Sequence, residues 1–173
     1  MKKRILTLII AVLSISIYAE NPFKNLDFLI GNWQGIETGV AGDGIGFRSY
    51  SYILDNNFIQ AHNTSTFPIS EKKPRGEVHR DLVIISYNSN TDQLILRGFY
   101  VEGFTNIYIL DKELSTETKI VWITREIENN PGNWKGRYTI EKVSDTEFNE
   151  WMDFAMDGEN FVPFLKNNWK KKD

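Results

Sequence analysis

Hydrophobic and polar positions alternate along most of this chain in short segments of seven to ten residues. The segments are rich in Ile, Val, Thr, Tyr, Phe and Trp, which suit a pleated surface with one buried face. Between them lie short clusters of Asn, Asp, Gly, Pro and Ser, the residues that form tight turns. The pattern predicts strands over residues 33–39, 47–54, 58–67, 79–87, 93–101, 104–110, 119–127, 134–142, 148–156 and 161–168.

Even spacing of the predicted strands, without a long helical period, favours an all-β protein. Most connections are short enough to be hairpins, which predicts an antiparallel up-and-down β-barrel of about ten strands. A β-sandwich is the competing architecture, but a sandwich usually needs longer crossovers. A short apolar segment precedes the first strand, and we expect it to form a helical plug at one end of the barrel.

The first strand opens on a Gly-x-Trp-x-Gly motif made of Gly31, Trp33 and Gly35. A large aromatic ring so close to the plug is suited to closing the end of a barrel. The indole N–H of Trp33 then needs a buried acceptor, such as a backbone carbonyl. We therefore predict structural roles for these three residues.

The N-terminus has the three parts of a secretory signal peptide. Lys2, Lys3 and Arg4 precede an almost wholly apolar run over residues 5–17, and Ala19 offers a small residue for cleavage before Glu20. The run is shorter than the roughly 20 residues of a spanning helix, so stable membrane insertion after cleavage is not expected. We predict a signal peptide over residues 1–19 and a periplasmic or secreted product; a buried N-terminal helix is the alternative.

The amino-acid composition restricts the kinds of partner that this protein can have. Cleavage of 19 from 173 residues leaves 154, enough for one domain with a core. The leader holds three of the 20 basic residues and none of the 23 acidic ones, so the mature chain has a formal net charge of −6. An acidic surface repels phosphate backbones, so nucleic acid is not an expected partner. Without cysteine the chain forms neither disulfides nor thiolate metal sites.

Several polar residues share a strand face with apolar ones, which predicts that they point into the barrel. Arg97 lies between Ile95 and Phe99, and a buried arginine needs a carboxylate. We expect Asp81, on the preceding strand, to supply it. The pair is either a core ion pair or a hook for an anionic ligand group. The predicted ligand-binding residues are Asn63, His79, Asp81, Arg97, Asn106 and Tyr108.

The opening motif resembles that of calycin barrels, the group of lipocalins and fatty-acid-binding proteins, and most closely the nitrobindin-like haem-binding β-barrels. That resemblance implies one calycin-like domain over residues 20–173. Glu37 departs from the family motif, which has glycine there. The haem-ligating histidine near the family's C-terminus has no counterpart, since only His62 and His79 occur here. No haem cofactor is therefore expected; ligation by His79, or an unligated macrocycle, is the alternative.

These observations predict a barrel that binds a small, largely apolar molecule in its cavity, with a carboxylate as one option for its polar group. An enzyme that uses His79 as a base, oriented by Asp81, is the second hypothesis. No nucleophile accompanies this pair, so catalytic residues are not assigned. A scaffold with a filled interior is the third. A metal site is not expected, because His79 and Asp81 are only two ligands.

Overall fold

The computed structural model describes residues 21–40, 42–71, 73–130 and 132–173, so the predicted signal peptide lies outside the described residues. Those ranges form one 3-10 helix, Lys24–Leu29, and ten strands. The strands are β1 (Gly31–Gly39), β2 (Gly44–Ile53), β3 (Phe58–Phe67), β4 (Glu77–Asn88), β5 (Gln93–Tyr100), β6 (Thr105–Leu110), β7 (Lys119–Glu128), β8 (Lys135–Ser144), β9 (Glu147–Ala155) and β10 (Val162–Lys172).

The strands close into a single antiparallel barrel in which every strand pairs with its neighbours in the chain and β1 also pairs with β10. The predicted all-β, up-and-down barrel is confirmed. Observed strand ends lie within a few residues of the predicted ones, with β10 extending furthest beyond its prediction. That extension has a tertiary cause, because Lys170, Lys171 and Lys172 pair with Gln34, Trp33 and Asn32 across the seam where the barrel closes.

The predicted plug is present as the 3-10 helix. Leu26 and Leu29 on this helix are almost fully buried. Trp33 covers the same end of the barrel, and its Nε1 donates a hydrogen bond of 2.6 Å to the Leu29 carbonyl oxygen. Its ring meets Phe148 edge to face, with 4.7 Å between ring centroids. One end of the barrel is therefore sealed by apolar side chains, and the indole N–H is satisfied as predicted.

The need for glycine at position 35 comes from its packing against β10. It lies opposite Gly46 on β2 and opposite Trp169 on β10. A Cβ atom at Gly35 would come within 2.6 Å of the Trp169 ring, and one at Gly46 within 2.4 Å of it. The two glycines together leave a slot for this indole, so the motif glycine is required by a residue 134 positions later in the chain.

Candidate ligand-binding cavity

The barrel encloses a cavity of about 500 Å³. Leu29 of the plug forms its floor, and its mouth lies at the opposite end, where β1, β3, β5, β7 and β9 end. Between them the wall has three levels: an apolar floor, a polar belt and a charged, aromatic mouth. The interior is thus not filled by its own side chains.

The floor is built from apolar residues that the strands turn inward at the plug end. Trp122 is fully buried there, and its Nε1 has no hydrogen-bond partner among the described residues. A buried donor without a partner is uncommon in folded proteins. The floor residues are Leu29, Ala61, Ile85, Leu96, Trp122 and Ile140.

The polar belt is the level of the wall formed by Arg48, Tyr138, Glu150 and Asn167, and an ion pair lies at its centre. Arg48 on β2 places Nη1 2.6 Å from Glu150 Oε2 on β9, with side-chain exposures of 12% and 2%. Glu150 also accepts hydrogen bonds from Tyr138 (2.7 Å) and Asn167 (2.6 Å). Burial alone would raise the pKa of Glu150, but the guanidinium and these donors outweigh it and hold that pKa below its usual value. The carboxylate is therefore kept charged deep in the barrel.

A hydrogen-bond chain runs from this ion pair toward the mouth. Arg48 Nε donates to Asn63 Oδ1 (3.0 Å), and Asn63 Nδ2 donates to Asp81 Oδ2 (3.2 Å) and Ser65 Oγ (2.9 Å). Ser65 in turn donates to Glu37 Oε1 at 2.7 Å. Burial raises the pKa of Glu37, which favours its neutral form. Asn63 is thus the junction between the belt and the carboxyl groups nearer the mouth.

His79 lies at the mouth among three carboxylates. Its Nε2 is 2.7 Å from Asp81 Oδ1, and its Nδ1 is 3.0 Å from Glu102 Oε1 and 3.7 Å from Glu77 Oε1. The contact with Asp81 is the main cause that raises the pKa of His79; partial burial opposes the shift, and Glu102 and Glu77 add to it. The site therefore favours the imidazolium form.

The structure places four of the predicted residues, Asn63, His79, Asp81 and Tyr108, on the cavity wall. Asn106 points inward and is fully buried, but it packs behind the wall, where Thr124 donates to its Oδ1 at 3.0 Å. Its Nδ2 has no hydrogen-bond partner among the described residues. These placements are geometric, and a role in binding stays a prediction.

The inward orientation predicted for Arg97 is wrong. Leu96 faces the cavity, so its neighbour Arg97 points outward, where Nη1 donates to Ser86 Oγ at 2.9 Å. Asp81 lines the cavity, and the predicted Asp81–Arg97 contact does not exist. The pattern misled because Leu94, Ile95 and Leu96 are all buried and apolar, which hides the period of two.

The central ion pair, between Arg48 and Glu150, is absent from the predicted site residues. Glu150 lies midway between Phe148 and Met152, two residues from each, and Arg48 stands two residues before Tyr50. The same alternation argument would have turned both inward. Glu37, noted only as a departure from a motif, is a buried wall residue as well.

The donor set does not fit an iron-ligated haem. His79 is the histidine of the cavity wall, and each of its ring nitrogens already faces a carboxylate. His62 is exposed and contacts Gln60 on its own strand. Neither imidazole offers a nitrogen lone pair to the cavity interior, so no histidine ligand for haem iron is evident among the described residues.

Comparison with solved structures supports the fold. The chain superimposes on the crystal structure of Rv2717c from M. tuberculosis with a TM-score of 0.62 and 13% identity, covering 88% of this chain and 98% of that one. EF1p2_mFAP2b bound to DFHBI aligns at a TM-score of 0.36 and 14% identity, covering 86% and 97%, which is too low to carry an argument. No protein-family model matches the sequence. No curated protein matches it.

One negative finding concerns membranes. Within the described ranges, no helix has the length and apolar character needed to cross one.

Proposed function

We propose that this protein is an exported β-barrel that binds a small, largely apolar molecule in its cavity. The observation that carries the proposal is the cavity of about 500 Å³, sealed at the plug and lined by apolar side chains below a polar belt. Ligand pockets of roughly 300–1,000 Å³ with a few convergent polar groups are typical of small-molecule sites. A scaffold barrel would instead fill its interior.

The carboxylate option for the ligand loses its support. The sequence pattern predicts Arg97 as the residue that binds an anionic group of the ligand, but its side chain points away from the cavity. Arg48 does face inward, but Glu150 neutralises it with two contacts, from Nη1 at 2.6 Å and from Nη2 at 3.2 Å. An anionic ligand would have to displace a buried, hydrogen-bonded partner, which is costly. The proposal also includes no haem, because neither histidine offers a nitrogen to an iron inside the cavity.

Two mass measurements on the protein purified gently from its own cell envelope test the proposal. We expect the denatured chain to begin at Glu20, which would establish cleavage after Ala19 and export. We expect the native protein to carry a stoichiometric extra mass that is lost on denaturation. A native mass equal to that of the bare polypeptide would count against a bound ligand, and a chain that begins at Met1 against export.

A matched pair of variants locates the ligand. Val83 lines the cavity, whereas its neighbour Leu82 on β4 points outward. Both are partly buried apolar residues, so each tolerates a similar change. We expect Val83→Phe to abolish the extra mass by filling the cavity and Leu82→Phe to keep it. Equal loss from both variants would contradict binding inside the barrel.

An enzyme that acts on the bound molecule is the second candidate, because His79 and Asp81 are in contact at the mouth (2.7 Å). The geometry argues against the use of His79 as a base, because both of its ring nitrogens face carboxylates rather than the cavity interior. If the protein is an enzyme, the wild type should convert its isolated ligand to a species of different mass, and His79→Gln should still bind but leave it unchanged. Unaltered ligand after incubation with wild type would exclude this candidate.

A further inference from the structure

We infer that the ligand carries a positively charged nitrogen, an amine or quaternary ammonium on an apolar body, held at the cavity mouth. The inference rests on the proposed function and names the chemical class of its ligand. It follows from the balance of charges on the cavity wall, from the side chains that already neutralise one another, and from the aromatic rings at the mouth.

Carboxyl groups outnumber cations on the wall. Among the described residues that line the cavity, the cationic side chains are Arg48 and Lys73, with His79 able to carry a third charge. A site with an excess of negative charge raises the local concentration of cations and repels anions. The opposing carboxylates are Glu77, Asp81, Glu102 and Glu150. Glu37 also lines the cavity, but burial favours its neutral form, so it is not counted here.

Both permanent cations are already paired. Arg48 is held by Glu150, and Lys73 forms an ion pair with Glu77. Asp81 and Glu102 are left with His79 alone, one on each side of its ring. Asp81 is well shielded, with a side-chain exposure of 14%. Two carboxylates that share one imidazole therefore face the cavity with negative charge to spare.

Aromatic rings surround these carboxylates at the mouth. Tyr100 stacks on Phe104 with 4.4 Å between ring centroids, and Phe154 meets Phe164 edge to face at 5.0 Å. The faces of such rings attract ammonium groups. This mouth already shows the interaction, because Lys73 Nζ lies 4.8 Å from the centroid of Phe67. The cavity-lining rings of this end are Phe67, Tyr100, Phe104, Trp134, Phe154 and Phe164.

The levels of the cavity then match the two parts of such a ligand. The charged nitrogen lies near Asp81 and Glu102, between the aromatic rings. The apolar body extends past the belt toward Leu29 and Trp122 on the floor. Each part meets a chemically complementary wall, and no buried charge of the protein needs to be displaced.

Three probes with the same ten-carbon chain test the inference by isothermal titration calorimetry on the wild-type mature protein, below the concentrations at which they aggregate. They are decyltrimethylammonium, decanol and decanoate. We expect the ammonium to bind about tenfold more tightly than the alcohol, the size of a partly desolvated cation–π contact, and the carboxylate to bind weakest.

Isosteric variants assign the preference to the mouth. In the double variant Asp81→Asn with Glu102→Gln, we expect the ammonium affinity to fall to about that of decanol, while decanol binding is retained. Glu126→Gln changes an exposed outward carboxylate on β7 by the same chemistry and should leave the preference intact. Retained decanol binding also reports that the double variant is folded.

The outcomes separate the two proposals. Tighter binding of decanoate or decanol than of the ammonium would overturn the cationic ligand and leave small-molecule binding standing. An ammonium preference that survives the double variant would overturn the role of the mouth. If none of the three probes binds, the proposed function and this inference fail together.

Discussion

The two ends of the barrel are built from the same ten strands but differ in what they bury. At the plug end, Leu26, Leu29, Trp33, Phe148 and Trp169 are almost fully buried and pack against one another or the strands around them. At the mouth the cavity is lined by half-exposed charged and aromatic side chains, Glu77, His79, Glu102 and Trp134 among them.

The two ends therefore differ in what they contribute to stability, and under the proposed function the mouth is the end that would meet the ligand. Burial of apolar surface at the plug end supplies the hydrophobic stabilisation. Charged groups at the mouth contribute little to stability, because half-exposed ion pairs are screened by water. They remain available to a ligand for the same reason. Substitutions at the belt, at the two ends, at the glycine slot and at His79 test this division.

The largest effect on the free energy of unfolding is expected at the belt, between the two ends. Glu150→Ala removes the carboxylate that neutralises Arg48 and leaves a buried guanidinium without its partner. Breaking such a pair costs about 3–5 kcal/mol, which urea denaturation would measure as a lower unfolding free energy. The double replacement Arg48→Met with Glu150→Leu should recover most of the loss. If it is as unstable as the single variant, the cause is lost packing rather than an uncompensated charge.

The same substitution at each end compares them directly. Leu29→Ala at the plug opens a cavity in a fully buried position and should cost about 2–5 kcal/mol. Leu165→Ala at the mouth removes a half-exposed side chain and should cost about 1 kcal/mol or less. Chemical denaturation of the two variants side by side gives the difference. Equal losses would contradict the division between a stabilising plug end and a mouth that contributes little to stability.

The glycine slot gives a smaller effect at the plug end. In Gly35→Ala the new methyl group would meet the Trp169 ring at 2.6 Å, and overpacking of this kind costs about 1–3 kcal/mol. Trp169→Leu removes that ring, so the alanine should cost less in its background. The coupling energy of this double-mutant cycle measures the contact. Purely additive losses would show that Gly35 is required for another reason.

The smallest effect on the free energy of unfolding is expected at His79. Its pKa is raised above the ordinary 6.5 in the folded state, chiefly by Asp81, with Glu102 and Glu77 adding to the shift. The stabilisation is therefore fully present below the unfolded pKa and is lost as the pH rises through the folded pKa. The difference in unfolding free energy between wild type and His79→Gln should shrink over that range. A difference that grows with pH would show that the folded state does not stabilise the charged form of His79.

Sequence patterns predicted the wall of the cavity better than its charges. Asn63 and Tyr108 each lie within a clear alternation of apolar and polar residues, so their orientation could be read locally. Arg97 failed because apolar residues occupy both faces of its strand. Alternation would also have turned Glu150 and Arg48 inward, but their pairing could not be predicted locally, because 102 residues separate them in the chain.

Local patterns were enough to predict the strands, the turns and the closure by Trp33, because period-two alternation and turn chemistry act over a few residues. Two features became visible only in the folded barrel: the neutralisation of Arg48 by Glu150, and the filling of the slot between Gly35 and Gly46 by Trp169. The two kinds of feature differ in the separation along the chain between the residues that form them. Charge pairing and close packing depend on residues that the barrel brings together from distant parts of the chain, and no local pattern records their meeting.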